Sequence, residues 1–142
     1  MNEEMNEKRK NRYREKLIYA TLSLERTEEW LTEFEKTKKE KDLFAAYKAF
    51  QELVEVLTDI IAMFLKDNNL IVKDDYTNIY TLKDKKFITE QETKILIEAN
   101  GLRNRIVHKY NSIDIETFVE SAKNSLKYLN DLIKKFEKWQ TK

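Results

Sequence analysis

The most regular hydrophobic pattern in the chain lies between about Lys41 and Leu65. Large apolar residues recur there alternately after four and three positions, at Leu43, Tyr47, Phe50, Val54, Leu57, Ile61 and Phe64. An α-helix brings residues with this spacing onto one face. We predict a long helix, the second in chain order, that packs this face against other helices. A cofactor-binding role for its aromatic residues is the less favoured interpretation.

A first helix is predicted before it, from about Glu7 to Lys38. Two interleaved seven-residue series supply its apolar face: Leu17, Leu24 and Leu31, and Ala20, Thr27 and Phe34. Because only a short break near residues 36–41 separates the two helices, we expect them to be antiparallel neighbours.

The third and last main helices begin at recognisable capping residues. Thr89 and Glu92 have the spacing of a capping box, and Asp114 is a suitable N-cap. The expected buried stripe of the third helix consists of Ile95, Ala99, Leu102 and Ile106. That of the last helix consists of Phe118, Ala122, Leu126, Leu129, Ile133 and Phe136.

The connection between helices two and three is long. Asp67-Asn68-Asn69 ends helix two with residues that tolerate turn conformations, and a short helix is expected near Tyr76–Thr81. With one glycine and no proline, the chain lacks the residues that the turns of a sheet protein need. We predict an all-α fold, an antiparallel four-helix up-down bundle with an irregular or short-helix segment between helices two and three. It should form a single domain over residues 1–142, with its core at about 7–138.

The charge is almost balanced. The chain has 27 basic and 26 acidic residues and a net charge of +1, which excludes a protein that coats nucleic acid through overall charge. A basic cluster between Lys8 and Lys16 is diluted by nearby glutamates, so we favour a solvated helix start over an RNA contact. The absence of cysteine excludes disulfides and thiolate metal sites.

The sequence shows neither a targeting segment nor a membrane span. The first ten residues lack the apolar core of a signal peptide. No run approaches the roughly 20 apolar residues that a transmembrane helix needs. We therefore expect a cytoplasmic protein that does not bind membranes.

The candidate chemistry is concentrated between Arg103 and Tyr110. His108 is the only histidine of the chain, and an imidazole can both take and give a proton near neutral pH. Arg103 offers the rigid fork of donors that suits a phosphate. Acid–base chemistry near neutral pH must therefore use His108 or a carboxylate, lysine or tyrosine with a shifted pKa.

Helical geometry separates these side chains. At about 100° per residue, Arg103 and Tyr110 share one face, Asn104 and His108 share another, and Arg103 and His108 lie about 140° apart. Either the helix loosens near its end or a second copy of the chain completes the site. A two-fold homodimer would bring two copies of Arg103 and His108 into one cationic cleft, where both are expected to be accessible to solvent. Arg105 points elsewhere, to the surface or the rim of the dimer.

A purely structural interpretation of these residues is also open. A histidine near a helix end often caps carbonyl groups and meets the negative end of the helix dipole. Arg103 and Arg105 would then be surface residues, and Tyr110 would lie at the edge of the core. The spacing of arginine and histidine is not specific enough to decide between the two interpretations.

The motif Arg103-x4-His108-x-Tyr110, taken with Asn104 and the following Ile113-Asp114, resembles the signature of the HepT-like HEPN-domain toxins. The likeness extends to residues 57–62 and 76–88, and it covers most of the chain from about residue 17 to residue 136. The three motif positions show no departure from the family pattern.

This resemblance implies a function. Members are metal-independent endoribonucleases that form two-fold dimers, with arginine and histidine from both chains in one cleft, and they act as toxins of a type VII-like toxin–antitoxin system. It implies Arg103 and His108 as catalytic residues, no cofactor, RNA as substrate, and a cognate minimal nucleotidyltransferase as antitoxin partner. That enzyme would silence the toxin by AMPylation of Tyr110. Asn104 either orients His108 or is simply solvated.

Two other function classes remain open. The first is a non-catalytic HEPN module that binds a nucleotide or a nucleotidyltransferase through the same cleft, and the second is a structural helical interaction protein. The presence of both Arg103 and His108 favours catalysis over the first class. The clustering of arginine, asparagine, histidine and tyrosine argues against the second.

Overall fold

The computed structural model describes residues 5–109 and 113–141, which contain five α-helices and no strand. The helices are α1 (Glu7–Thr37), α2 (Glu40–Asp67), α3 (Asp75–Asp84), α4 (Glu90–Lys109) and α5 (Ile115–Gln140). The four long ones are the predicted bundle helices, and α3 is the predicted short helix of the connection. The all-α prediction is therefore confirmed.

The first two helices form an antiparallel pair, as expected. Arg9 near the start of α1 bonds Asp67 at the end of α2, with Nε 2.9 Å from Oδ2. Halfway along, the Tyr19 hydroxyl donates to Glu52 over 2.7 Å. The reversal between them is short because Lys38 adopts a left-handed conformation, with φ at 57°.

The centre of the core is α2, and every residue of its predicted stripe is buried. At one end of the bundle Tyr47 packs edge-on against Phe118 of α5, with the ring centroids 4.6 Å apart. At the other end Phe64 contacts Phe136 and Trp139 of α5, at 5.4 Å and 4.7 Å. The predicted face of the last helix is likewise buried throughout. Aromatic contacts thus join α2 to α5 at both ends.

The predicted stripes of two helices need correction. In α4, Ile95 is only half-buried, while its neighbour Leu96 is 6% exposed. The reason is that α4 contacts α2, α3 and α5, so its buried face is wider than one stripe and is centred differently. In α1, Leu24 is half-buried, whereas the unpredicted Tyr13 and Ser23 are buried.

Local polar contacts fix the position of α3. Asp74 caps it by accepting a hydrogen bond from the Thr77 amide over 2.9 Å, which lowers the pKa of the Asp74 carboxyl. Asn78 is 2% exposed, and its side chain bonds both the amide and the carbonyl of Lys73. Ile79 and Leu82 anchor the helix in the core. The first turn of α3 is therefore held beside α4.

The predicted caps of α4 and α5 are confirmed. Thr89 and Glu92 form the capping box reciprocally, over 2.8 Å and 3.0 Å. Asp114 caps α5 by accepting from the Thr117 amide over 3.0 Å. None of the helices within the described ranges is both long and apolar enough to cross a membrane.

Candidate functional site

The candidate site lies on the C-terminal half of α4, which faces the first turn of α3 and the middle of α2. Arg103 and Asn104 are consecutive residues of α4, and each contacts one of the consecutive α3 residues Asp75 and Tyr76. A residue of α2, Glu55, approaches Arg103 from a third direction. Three helices therefore meet at the predicted motif.

Arg103 is tightly surrounded. Its Nη2 donates to Oδ2 of Asp75 over 2.9 Å and to Oδ1 of Asn100 over 3.1 Å. Its Nη1 lies 3.8 Å from Oε2 of Glu55, and its side chain is 15% exposed. The expectation of a solvent-accessible arginine is therefore wrong within one chain, because α2 and α3 cover it.

Only some of the hydrogen-bond donors of Arg103 have a described partner. A guanidinium carries five N–H groups, and the two on Nη2 are occupied. Its Nε is buried without a hydrogen-bond partner among the described residues. Nη1 lies 3.8 Å from the Glu55 carboxylate, beyond hydrogen-bond distance, so its donors are the ones that could meet an anion. The Asp75 and Glu55 carboxylates are 37% and 42% exposed, so solvent screens them partly.

Asn104 contacts Tyr76. Its Nδ2 lies 3.4 Å from the Tyr76 hydroxyl, a long hydrogen bond. The same hydroxyl sits over Gly101, 3.5 Å from where a Cβ would stand. This contact ties α4 to α3, and the role of Asn104 in orienting His108 stays a prediction.

His108 is exposed on the last turn of α4 and makes no hydrogen bond or ion pair with a described residue. It shares no partner with Arg103 among those residues, so no described contact joins the two side chains into a single polar network. Arg105 is exposed, as expected. Tyr110 lies outside the described residues, and its expected position near Arg103 stays a prediction.

Sequence reasoning missed the partners of Arg103. Asn100 precedes it by one helical turn and is 1% exposed, so a polar residue within the apolar stripe of α4 was an available signal. Asp75 is 28 positions away and Glu55 is on another helix, and no periodic pattern connects either to the motif. Their placement depends on how α2 and α3 pack against α4.

Three of the six basic residues between Lys8 and Lys16 have ion-pair partners within the described residues. Arg9 pairs with Asp67 at 2.9 Å, Lys16 with Asp59 at 3.5 Å, and Arg14 with Glu7 at 3.7 Å. Such pairing agrees with the favoured interpretation of a solvated helix start. Across the described ranges, no group of three or more histidine, cysteine, aspartate or glutamate side chains is arranged to hold a metal ion.

Solved structures share this fold. A tri-AMPylated HEPN toxin of Shewanella oneidensis in complex with an MNT antitoxin matches with a TM-score of 0.81 and 18% identity, over 94% of this chain and 98% of that one. A toxin–antitoxin crystal structure with AMP-PNP matches with a TM-score of 0.80 and 16% identity, over 93% of this chain and 99% of that one.

Sequence relatives identify the family. A candidate RNase of Archaeoglobus fulgidus is 37% identical over 130 residues, which cover 92% of this chain and 94% of the relative. The family model described as ribonuclease HepT-like matches residues 17–136, which include every residue of the site. The chain therefore belongs to the HepT-like ribonuclease family.

Proposed function

We propose that this protein is a metal-independent endoribonuclease that acts as the toxin of a toxin–antitoxin pair. One observation carries the proposal. This chain belongs to the HepT-like ribonuclease family, and it holds the Arg103 guanidinium in place between α2 and α3. An exposed histidine, His108, follows five residues later on the same helix. The Arg103 guanidinium, which its hydrogen bonds hold in place, suits the stabilisation of negative charge on a phosphate. The exposed His108 imidazole suits proton transfer.

RNA supplies its own nucleophile. His108 takes the proton from the 2′-hydroxyl, whose oxygen attacks the phosphorus and forms the bond that closes the 2′,3′-cyclic phosphate. The bond from phosphorus to the 5′-oxygen breaks, and that oxygen takes a proton from a second imidazole. Positioned acid–base groups of this kind contribute about 10²- to 10⁴-fold in rate. Arg103 stabilises the negative charge that develops on the other phosphorus oxygens.

A homodimer supplies the second imidazole. Arg103 and His108 have no common partner among the described residues of one chain, and His108 is exposed at the end of α4. A two-fold axis near this helix end would place the Arg103 of one protomer near the His108 of its partner. The two protomers would then contribute two Arg103 and two His108 side chains to one RNA site.

The toxin role is supported by the solved neighbours, which are toxins in complex with antitoxins, one of them a tri-AMPylated HEPN toxin with an MNT antitoxin. In this chain Tyr110 is the modification site. Each AMP added there carries a phosphate charge able to pair with Arg103, and it would compete with the substrate phosphate. A minimal nucleotidyltransferase is accordingly the partner.

A non-catalytic binding module is the second candidate. One observation favours it: the carboxylates of Asp75 and Glu55 lie beside Arg103 and offset its charge within the chain, as expected for an arginine with a structural role. The two candidates make different predictions for His108, because RNA cleavage by the ribonuclease requires this residue and a non-catalytic module cleaves no RNA.

The test is cleavage of a mixed RNA pool by the purified protein in the presence of chelator. We expect products with 2′,3′-cyclic phosphate ends. Arg103→Ala and His108→Ala should each lower the rate at least about 100-fold. Arg105→Ala is the matched control, because this exposed arginine lies two residues from Arg103, and it should stay near wild-type activity. Full activity of His108→Ala, or loss of wild-type activity in chelator, would overturn the mechanism.

The modification has its own test. Incubation with the partner nucleotidyltransferase and ATP should add multiples of an AMP mass to the wild type and suppress RNA cleavage. Tyr110→Phe should keep its helical circular dichroism and its activity, since only the acceptor hydroxyl is lost, and it should escape modification. If Tyr110→Phe gains the same mass and is silenced equally, the assignment of Tyr110 is wrong.

A further inference from the structure

We propose that Asp75 is a positioning residue for Arg103: its carboxylate fixes the orientation in which the guanidinium meets the scissile phosphate. This inference rests on the proposed ribonuclease function and adds a residue of α3 to the site. The Asp75 Oδ2 atom accepts from Nη2 of Arg103 over 2.9 Å, the shortest contact that this guanidinium makes with a described residue.

The contact restrains one end of the guanidinium. Asp75 and Asn100 together occupy both N–H groups of Nη2, so rotation of the planar group would break two hydrogen bonds at once. On the other side, Nη1 makes no hydrogen bond to a described residue and has the Glu55 carboxylate 3.8 Å away. Asp75 therefore leaves a defined part of the guanidinium for an anion while it holds the rest.

The support beneath Asp75 is rigid. The cap at Asp74 and the buried Asn78 fix the first turn of α3, and the next residue, Tyr76, contacts Asn104. Two consecutive residues of α3 thus hold two consecutive residues of α4. A side chain whose own backbone is fixed in this way can hold its partner to within a fraction of an ångström, as catalytic geometry requires.

Asp75 could either position Arg103 or only attach α3 to α4, and these two roles predict different kinetics. If Asp75 positions Arg103, its loss leaves a mobile and less neutralised guanidinium, which binds the ground-state phosphate at least as well but fits the transition state poorly. The kcat then falls by about 10- to 100-fold while KM stays unchanged or falls. If Asp75 only docks α3, its loss loosens the site as a whole, which raises KM and lowers the melting temperature.

The experiment compares Asp75→Ala and Asp75→Asn with a matched control, Glu90→Gln. Glu90 pairs with Lys83 of α3 at 3.8 Å, so this control removes another carboxylate between α3 and α4 far from Arg103. We expect a lower kcat without a higher KM for Asp75→Ala. A smaller loss is expected for Asp75→Asn, whose amide oxygen can still accept from Nη2, and wild-type kinetics are expected for Glu90→Gln. A kcat for Asp75→Ala within twofold of the wild type, or a raised KM with a lowered melting temperature, would overturn the proposal.

A second measurement does not depend on activity. The side-chain ¹⁵N–¹H signals of Arg103, assigned by their loss in Arg103→Lys, should show restricted Nη rotation in the wild type and in Glu90→Gln. In Asp75→Ala they should show free rotation, and unchanged signals there would overturn the proposal. If the wild type cleaves no RNA, the proposed function fails, while these signals still decide whether Asp75 holds Arg103.

Discussion

At the scale of single residues, the site depends on contacts that join distant parts of the chain. Arg103 and His108 could be singled out from the sequence, because their side-chain chemistry and their place in a motif are visible there. The burial of Arg103 could not be predicted, since it comes from Asp75 and Glu55 on two other helices. A motif thus identifies the reacting groups, while packing decides how free they are.

Glu55 provides a test of how neighbouring charge affects binding. Its carboxylate lies 3.8 Å from Nη1 of Arg103, the group left for a phosphate, and it competes with that phosphate. Because the pair is partly exposed and therefore screened, we estimate its effect at about 1 kcal/mol, or roughly fivefold in affinity. Glu55→Gln should accordingly lower the KM for RNA by roughly this factor at low salt, and by less at high salt.

The control for this prediction is Glu52→Gln. Glu52 and Glu55 line one groove between α1 and α2, but Glu52 accepts a hydrogen bond from Tyr19 instead of approaching Arg103. Steady-state cleavage of a labelled RNA measures both variants. An unchanged or higher KM for Glu55→Gln would show that Glu55 does not oppose RNA binding.

At the scale of elements, the helices and their caps were predictable because the signals are local. The capping box of Thr89 and Glu92 and the cap at Asp114 need only residues three positions apart. The buried faces of the helices were less predictable. The pattern of α4 indicated Ile95 where the structure buries Leu96, because three neighbouring helices determine which side of α4 faces inward.

Glu92 links the start of α4 to α5 and should make stability depend on pH. Burial acts to raise its pKa, but the bond from Lys135 over 2.6 Å and the Thr89 amide outweigh this effect, so the pKa lies below its ordinary value of 4.5. A depressed folded-state pKa means that the stabilisation is present above the unfolded pKa. It is lost as the pH falls through the folded pKa.

We therefore expect Glu92→Gln to lower the free energy of unfolding at pH 7 by about 1–3 kcal/mol. The difference from the wild type should shrink as the pH falls below 4.5 toward the acid range. Urea denaturation at a series of pH values measures this, with the neighbouring, exposed Glu90→Gln as the control. Parallel pH profiles of Glu92→Gln and the wild type would contradict the role of the charge.

At the scale of the whole molecule, the proposed function needs two protomers that form one cleft and cut RNA there. The chain is nearly neutral and half of the basic residues at the start of α1 are paired internally, so overall charge does not supply the proposed affinity for RNA. Doubling Arg103 and His108 across a two-fold axis provides a local site instead. Sedimentation at micromolar concentration should accordingly show a dimer.

Mixed dimers of the wild type with His108→Ala test the two-protomer cleft. Such a dimer keeps both Arg103 side chains but only one imidazole, so one of the two proton transfers is lost. Its RNA cleavage, measured as 2′,3′-cyclic phosphate ends, should be at least about 100-fold slower than that of the wild-type dimer, while mixed dimers with Arg105→Ala should keep wild-type activity. If purified mixed dimers with His108→Ala retain half or more of the wild-type rate, or if native mass spectrometry detects only monomers, the two-protomer cleft is contradicted.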